Sequence, residues 1–365
     1  MQTDKRKEQQ FILEVIQFLS PDILRLKDLL AQDLDYPYLL GHILHHRMGA
    51  VAYHVLKQTG LLGQVHREFR NTLRTVYESH RAQAESMQTA LSMIAGMLAD
   101  LPTPYAVLKG SYLTGLYPQG LRTSNDIDVL VNQEQVSVLT ARLKKNGFIQ
   151  GHIRDESLVP ASRQEILASR MNRGETVPFI RPVGLEQMEY LEIDVNFSVD
   201  YKARQETDIV SRLIDRREPL VRTACGRLYT LCKTDFLIHL CLHLYKEATI
   251  FSWVQMKRDQ SLYKYCDIYL LIHQWMKAAY AQSLAQQIRS YGVQRECYYA
   301  LNGTRLLFQI HKRELDWLLD AICPEDTAFM NEVLDPMANR IYHYQHPFSE
   351  WIFCSERVQN LKERV

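Results

Sequence analysis

Residues 108–131 read LKGSYLTGLYPQGLRTSNDIDVLV, and the rest of the chain is best interpreted outward from this stretch. It places Gly110 and Ser111 at the exit of a short apolar run, and Asp126 and Asp128, separated by one isoleucine, inside a second apolar run. Side chains of a strand alternate between its two faces, so the two aspartates are expected to project together. The stretch therefore predicts paired carboxylates on a strand that follows a glycine-serine turn.

Paired carboxylates repel each other unless a nearby cation offsets their charge. Mg²⁺ prefers oxygen ligands and usually keeps waters and substrate phosphates in its shell, so Asp-x-Asp beside a Gly-Ser turn suits a nucleotide–metal site. The same letters also fit a polar turn followed by a solvated edge residue, because short motifs match by chance. On this stretch alone both interpretations stay open.

A second set of carboxylates lies on a later segment, residues 190–197, where apolar and polar residues alternate as in a strand. Glu192, Asp194 and Asn196 share its polar face. If this strand lies next to the first one, Asp194 becomes the third carboxylate of the site, and Glu192 is interpreted as a surface residue. Sequence spacing does not establish that the two strands are adjacent.

Composition indicates an ordinary globular protein: 46% of the 365 residues are hydrophobic and 23% are charged. The net charge of +1 provides no global field for a polyanion. This charge therefore favours a small-molecule or peptidic partner over long nucleic acid. The segment from Arg142 to Arg181 contains eight basic and four acidic residues. This local surplus suits either a bound triphosphate or, as charge runs usually do, a solvated surface.

The cysteines and the first apolar run bear on the cellular compartment of the protein. The seven cysteines include no Cys-x-x-Cys pair, which favours reduced thiols over disulfides or a structural zinc site. The first apolar run is too short and too interrupted for a membrane or secretory segment. We expect a cytoplasmic protein that makes no membrane contact.

Helical periodicity on both sides of a central strand-rich segment predicts an α+β fold, in which a small mixed β-sheet is flanked by helical regions. The expected divisions are an N-terminal helical region, a core and a C-terminal helical domain, at residues 1–100, 101–200 and 201–365. The last predicted helix lies near Thr327–Tyr344. His42, His45 and His46 of the first region lack partners at ligand spacing, and packing or surface roles are expected for them.

The order Gly-Ser, Asp-x-Asp and a later isolated aspartate on a strand resembles the catalytic core of the polymerase-β nucleotidyltransferase superfamily. Residues 108–131 look more closely like the signature of a bacterial group, nucleotidyltransferase family 5. The flanks agree with it, through His45-His46-Arg47, the leucine-rich helix that contains His239 and His243, and residues 267–271. The resemblance spans most of the chain, although only the central motif is specific.

The resemblance implies a transferase that moves a nucleoside monophosphate from an NTP, expected to be ATP, to an acceptor, with release of pyrophosphate. Two Mg²⁺ ions would be held by catalytic carboxylates, which are Asp126, Asp128 and Asp194. The nucleotide would be held by residues of the turn and its surroundings, which are Lys109, Gly110, Ser111, Arg122 and Ser124. The acceptor is not indicated by the sequence.

One position departs from the family pattern. Where the third-strand motif often continues with histidine and tryptophan, this chain has Asn196 and Phe197, and asparagine cannot act as a general base. A separate, second hypothesis is a non-catalytic nucleotide-binding protein that acts as a regulatory or antitoxin-like partner. The complete set of carboxylates argues against it.

Overall fold

The computed structural model describes residues 6–172, 174–199, 208–223 and 226–364. Contacts group the chain into two units, which are Met1–Glu78 with Leu240–Val365, and Ser79–His239. This division differs from the three consecutive regions expected from the sequence. Within the first unit, the helix Arg6–Val15 contacts the helix Gln294–Phe308, so that the two ends of the chain share one unit.

The helices of the described residues, in chain order, are α1 Arg6–Val15, α2 Ile23–Leu30, α3 Tyr36–His45, α4 Gly49–Gln58, α5 Arg67–Leu98, α6 Gly110–Leu113, α7 Val136–Lys145, α8 Arg163–Asn172, α9 Ile209–Asp215, α10 Lys233–Thr249, α11 Phe251–Gln255, α12 Leu262–Trp275, α13 Ala278–Tyr291, α14 Gln294–Phe308, α15 Arg313–Ile322 and α16 Phe348–Trp351. None of them combines the length and the apolar character that crossing a bilayer requires.

The strands are β1 Ala106–Val107, β2 Asp126–Leu130, β3 Ile149–Arg154, β4 Ser157–Pro160, β5 Phe179–Leu185, β6 Met188–Asn196, β7 Arg217–Thr223, β8 Gly226–Leu231, β9 Glu332–Asp335, β10 Arg340–Tyr344 and β11 Leu361–Glu363. Within the described chain, the first eight form one mixed sheet in the order β4-β3-β5-β6-β2-β1-β8-β7. β2 runs parallel to β6 and antiparallel to β1. The predicted α+β class is confirmed.

The predicted helix near Thr327–Tyr344 is wrong. β9 and β10 pair there as an antiparallel hairpin, and β11 completes a small sheet. The carboxylate of Asp335 accepts hydrogen bonds from the backbone N–H groups of Met337 and Ala338, which forms a tight turn. Side chains of this kind compete with the helical backbone for hydrogen bonds, and a proline follows Asp335 directly. The turn at Asp335 therefore prevents the helix that the apolar spacing of this segment predicted.

The apolar face of the large sheet forms the core of the second unit. Ile127 of β2 and Ile193 of β6 are fully buried, and they belong to one cluster with Ile94 of α5 and Leu139 of α7. Burying an isoleucine or leucine side chain stabilises a fold by about 1.5–3 kcal/mol. Because strand residues alternate, fixing these side chains in the core holds the neighbouring polar residues on the opposite face.

Candidate active site

The two strands predicted to carry carboxylates are neighbours. In the parallel pair of β2 and β6, Asp126 lies opposite Glu192, and Asp128 lies opposite Asp194. Paired residues of adjacent strands point to the same face of a sheet, so these four carboxylates share the face opposite the core. We call the four side chains the carboxylate face. The structure brings Asp194 beside Asp126 and Asp128 and adds Glu192, which the alternation of residues 190–197 had already placed on the polar side.

Burial and electrostatic repulsion together disfavour the ionised acids of the carboxylate face. Burial, followed by the charges of Asp128, Asp126 and Glu192, raises the pKa of Asp194 well above its ordinary value. Burial and then the charges of Asp126 and Asp128 raise the pKa of Glu192 to about 7. An acid whose pKa is raised by neighbouring acids indicates a local excess of negative charge. The face is therefore suited to attract a cation.

Lys109 provides a positive charge within the protein. Its Nζ lies 2.8 Å from Oδ1 of Asp128, and Nδ2 of Asn196 donates to the same oxygen at 3.2 Å. The residue Asp128 is only 5% exposed. The backbone of Lys109 has φ +41° and ψ −113°, a conformation that favours glycine. Holding another residue there costs about 1–3 kcal/mol, and such strain tends to occur at functional sites. This pairing of Lys109 with one of the proposed metal ligands was not predictable from the sequence alone.

Gly110 is required by a close approach to Ser124. A Cβ atom at position 110 would lie 2.4 Å from Oγ and 2.5 Å from Cβ of Ser124. The same Ser124 hydroxyl donates a hydrogen bond to Oδ1 of Asp126 at 2.6 Å. Gly110 thus allows the turn before α6 to lie directly against the residue that orients the first carboxylate.

Ser111 offers a hydroxyl that the protein itself does not use. It is 4% exposed, and its Oγ has no hydrogen-bond partner within the described residues. Its backbone N–H, by contrast, already donates to the carbonyl oxygen of Leu108 at 3.2 Å. A buried hydroxyl without a partner is unfavourable, so a ligand oxygen at this position would be stabilising.

The other predicted anion-binding groups make structural contacts. Arg122 donates to the carbonyl oxygen of Thr123, within its own loop. In the basic segment, Arg142 donates to the carbonyl oxygens of Met97 and Asp100, at 2.8 and 3.2 Å. The guanidinium of Arg181 donates to the carbonyl oxygen of Asn146 at 3.0 Å. These bonds tie loops together, and the contact of Arg122 or of the basic segment with a triphosphate stays a prediction.

A sequence profile of a family described as uncharacterised nucleotidyltransferases matches residues 32–309, about three quarters of the chain. The chain belongs to this family. The resemblance inferred from residues 108–131 is thereby confirmed, and the match also includes β6 with Asp194. Membership of a nucleotidyltransferase family supports a general role in nucleotidyl transfer.

Comparison with curated proteins found no match. Among solved structures, the chain is similar to an antigenic nucleotidyltransferase-like protein from Paracoccidioides brasiliensis, with 15% identity and a TM-score of 0.32. That alignment covers 58% of this chain and 92% of the other. At this TM-score the likeness adds nothing to what the family match supports.

The carboxylate face fits a hard divalent cation in its donor chemistry, because it supplies several carboxylate oxygens whose negative charge Lys109 offsets only in part. Among the described residues, however, no group of three or more His, Cys, Asp or Glu side chains is arranged as a formed metal site. Asp128 instead contacts Lys109. The donors fit Mg²⁺ in kind, and a cation at Oδ1 of Asp128 would compete with the ammonium group of Lys109 for that oxygen.

The raised pKa of Glu192 predicts a specific pH dependence in metal-free buffer. Between the ordinary pKa of 4.5 and the folded value of about 7, the folded protein holds a proton that the unfolded chain releases. The contribution of Glu192 to stability is therefore complete below pH 4.5 and is lost as the pH rises to 7. Glu192→Gln should raise the free energy of unfolding at pH 8 by about 1–2 kcal/mol. It should also reduce the loss of stability between pH 4.5 and pH 7.

Urea unfolding at several pH values in the presence of EDTA measures this effect. Glu189→Gln removes an exposed carboxylate from the same strand and should leave the pH profile unchanged. If Glu192→Gln were no more stable than the wild type at pH 8, the burial and repulsion described for the Glu192 carboxylate would be incorrect.

Proposed function

We propose that the protein is a Mg²⁺-dependent nucleotidyltransferase that moves a nucleoside monophosphate from an NTP, expected to be ATP, to an acceptor and releases pyrophosphate. The observation that carries this proposal is the carboxylate face beside the Gly110–Ser111 turn. Family membership supports nucleotidyl transfer in general. The metal, the nucleotide and the acceptor belong to the proposal.

Asp126, Asp128 and Asp194 are the residues that we expect to hold two Mg²⁺ ions. Such ions, when bound, neutralise phosphate charge and orient the attacking and leaving oxygens of an in-line displacement. Ser124 keeps Asp126 in place through its 2.6 Å hydrogen bond, and Asn196 does the same for Asp128 at 3.2 Å. Asn196 therefore acts here as a positioning residue, a role that does not require titration.

Lys109 and the first residues of α6 supply groups for the triphosphate. The unused hydroxyl of Ser111 can donate to a phosphate oxygen, and the absence of a side chain at Gly110 permits close approach. Lys109, once its ammonium group leaves Asp128, is long enough to pair with a phosphate on the same side of the turn. In the protein without ligands, the same ammonium group offsets part of the charge of the carboxylate face.

Substitution of Lys109 should make stability depend on magnesium. Lys109→Gln removes the cation that pairs with the nearly buried Asp128, so we expect a loss of about 1–3 kcal/mol in the presence of EDTA. Millimolar MgCl₂ should restore most of this loss, because a divalent ion can replace the missing charge. Thermal unfolding with EDTA and with MgCl₂ measures both effects.

Lys145→Gln serves as the matched control, because Lys145 is an exposed lysine of α7 in the same unit. It should be insensitive to magnesium. A Lys109→Gln protein that gained no more stability from MgCl₂ than this control would contradict a cation site at Asp128.

The transfer reaction itself is tested by a mass-spectrometric screen. Isotopically labelled NTPs are incubated with host extract and either the wild type, Asp126→Asn or the control Glu189→Gln. We expect a nucleotidylated product with the wild type and with Glu189→Gln, and none with Asp126→Asn. A product of equal yield with Asp126→Asn would contradict the proposed metal site.

A second function is favoured by one specific observation. Because Lys109 already pairs with Asp128, the carboxylate face is partly neutralised without a metal ion. This arrangement would suit a non-catalytic protein that binds nucleotides and acts as a regulatory or antitoxin-like partner. Nucleotide binding that is unaffected by EDTA, with no product from any NTP in the screen, would select this function over transfer.

A further inference from the structure

The first unit contains a pocket of about 380 Å³ that the proposed reaction does not use. Its wall is formed by residues of α3, by Lys257 just after α11, and by Ile352, Cys354, Ser355 and Arg357. The volume is in the range of small-molecule sites, which are concave, mostly apolar and equipped with a few fixed polar groups. The residues that matter for its chemistry are Tyr38, His42, His45, Lys257, Cys354 and Arg357.

Arg357 is a fixed part of the wall. It is 4% exposed, and its Nη1 lies 2.6 Å from Oδ1 of Asp259. Its Nη2 and Nε donate to the carbonyl oxygens of Ile352 and Trp351, at 3.0 and 3.3 Å. These contacts consume most of the donors of the guanidinium and neutralise its charge, so Arg357 shapes the pocket and does not by itself attract an anion.

Lys257 provides the uncompensated charge. It is exposed, and no carboxylate among the described residues pairs with it. The pocket wall itself contains no aspartate or glutamate. Lys257 also has φ +56° and lies just after the end of α11. Two backbone hydrogen bonds close this helix end: the N–H of Lys257 donates to the carbonyl oxygen of Val254, and the N–H of Arg258 donates to the carbonyl oxygen of Trp253. Glycine is the usual residue at such a position, so the lysine side chain is kept there against a backbone preference.

Two histidines complete the polar lining. Burial, the charge of His45 and the charge of Arg357 lower the pKa of His42 to about 4, so His42 is neutral near pH 7. Burial and Arg357 also lower the pKa of His45, and Lys257 adds to this effect while Asp259 opposes it. The Nδ1 atom of His42 is buried without a hydrogen-bond partner among the described residues.

We propose that this pocket binds a small organic carboxylate, whose apolar body packs against Tyr38 and the ring of His42 and whose carboxylate pairs with Lys257. A single uncompensated ammonium group matches a single negative charge, whereas two neutral imidazoles supply hydrogen bonds without adding charge. A phosphate dianion would meet only half of the positive charge that it needs.

Binding to the full-length protein can be tested with three carboxylates of increasing size, which are acetate, phenylacetate and indole-3-acetate, each paired with its neutral amide. Calorimetry should detect binding of at least one of the two aromatic acids. The corresponding amide should bind at least about tenfold more weakly, because it cannot form the charge-assisted contact with Lys257. Lys257→Asn, which tolerates a positive φ, should weaken the acid about tenfold and leave the amide unchanged. Lys277→Asn, at another exposed lysine of the same unit, should change neither.

A second readout locates the ligand. Cys354 lines the pocket, whereas Cys323 is exposed elsewhere in the same unit and serves as an internal control. The bound acid should slow alkylation of Cys354 by iodoacetamide and leave that of Cys323 unchanged, as measured by peptide mass spectrometry. The proposal is overturned if none of the three acids binds, if acid and amide bind equally, or if Cys354 is not protected.

Discussion

Asp128→Asn is expected to lower nucleotidyl transfer by about 1,000-fold, because a bound cation supplies several kcal/mol of transition-state stabilisation and each 1.36 kcal/mol is tenfold in rate. Asp128 is the carboxylate at the centre of the site, opposite Asp194 in the sheet and in contact with both Lys109 and Asn196. Asparagine keeps the shape and one oxygen of the side chain but removes its charge. The fold should persist, since the substitution also relieves carboxylate repulsion.

The ion pair with Lys109 offers a sharp comparison for this prediction. If Asp128 served only to hold Lys109, Lys109→Gln and Asp128→Asn would lower the rate equally, because each breaks the same 2.8 Å contact. If Asp128 holds a metal ion, Asp128→Asn should cost at least about tenfold more than Lys109→Gln. Rates measured for both variants at saturating MgCl₂, with circular dichroism to verify folding, distinguish these cases. Equal losses would contradict the metal role of Asp128.

Gly110→Ala is expected to lower the free energy of unfolding by about 1–3 kcal/mol, the usual cost of overpacking, and to reduce transfer about 100-fold. Gly110 has no positive φ, so the penalty is steric and arises from the 2.4 Å approach of a new Cβ to Oγ of Ser124. A displaced Ser124 can no longer orient Asp126, so the defect is transmitted to the carboxylate face.

A rescue variant tests this steric origin. Ser124→Gly removes the two side-chain atoms that the new Cβ of Gly110→Ala would meet. The Cα atom of residue 124 then lies 3.8 Å from this Cβ, which is an ordinary separation. We expect the double variant to be as stable as Ser124→Gly alone, while activity stays low because Asp126 has lost its hydrogen bond. Gly63→Ala, where a Cβ meets nothing within 4 Å, is the control. Additive stability losses in a double-mutant cycle would contradict the described packing.

The central strands were predictable from the sequence because strand periodicity and burial agree there. Ile127 and Ile193 are fully buried, which holds Asp126, Asp128, Glu192 and Asp194 on the other face. The C-terminal hairpin was not predictable from apolar spacing, because the turn depends on local hydrogen bonds to Asp335.

The contacts within the site depend on geometry that the sequence does not encode locally. Lys109 and Asp128 are 19 positions apart, and only the positive φ of Lys109 and the pairing of β1 with β2 bring their side chains together. From the sequence, Asp194 was chosen over Glu192 as the third carboxylate, and a surface position was considered for Glu192. The raised pKa of Glu192 results first from burial and then from the charges of Asp126 and Asp128, and alternation alone fixes neither the burial nor the parallel register.

The fate of each phosphate of the nucleotide tests the central claim most directly. The full-length protein is incubated with host extract, MgCl₂ and ATP labelled at either the α- or the γ-phosphorus, beside Asp126→Asn and an EDTA control. We predict that α-label enters an acceptor product while γ-label appears in pyrophosphate, and that neither occurs with Asp126→Asn or EDTA. Transfer of γ-label to the product, or transfer of α-label at equal rates by Asp126→Asn, would contradict nucleotidyl transfer by the carboxylate face.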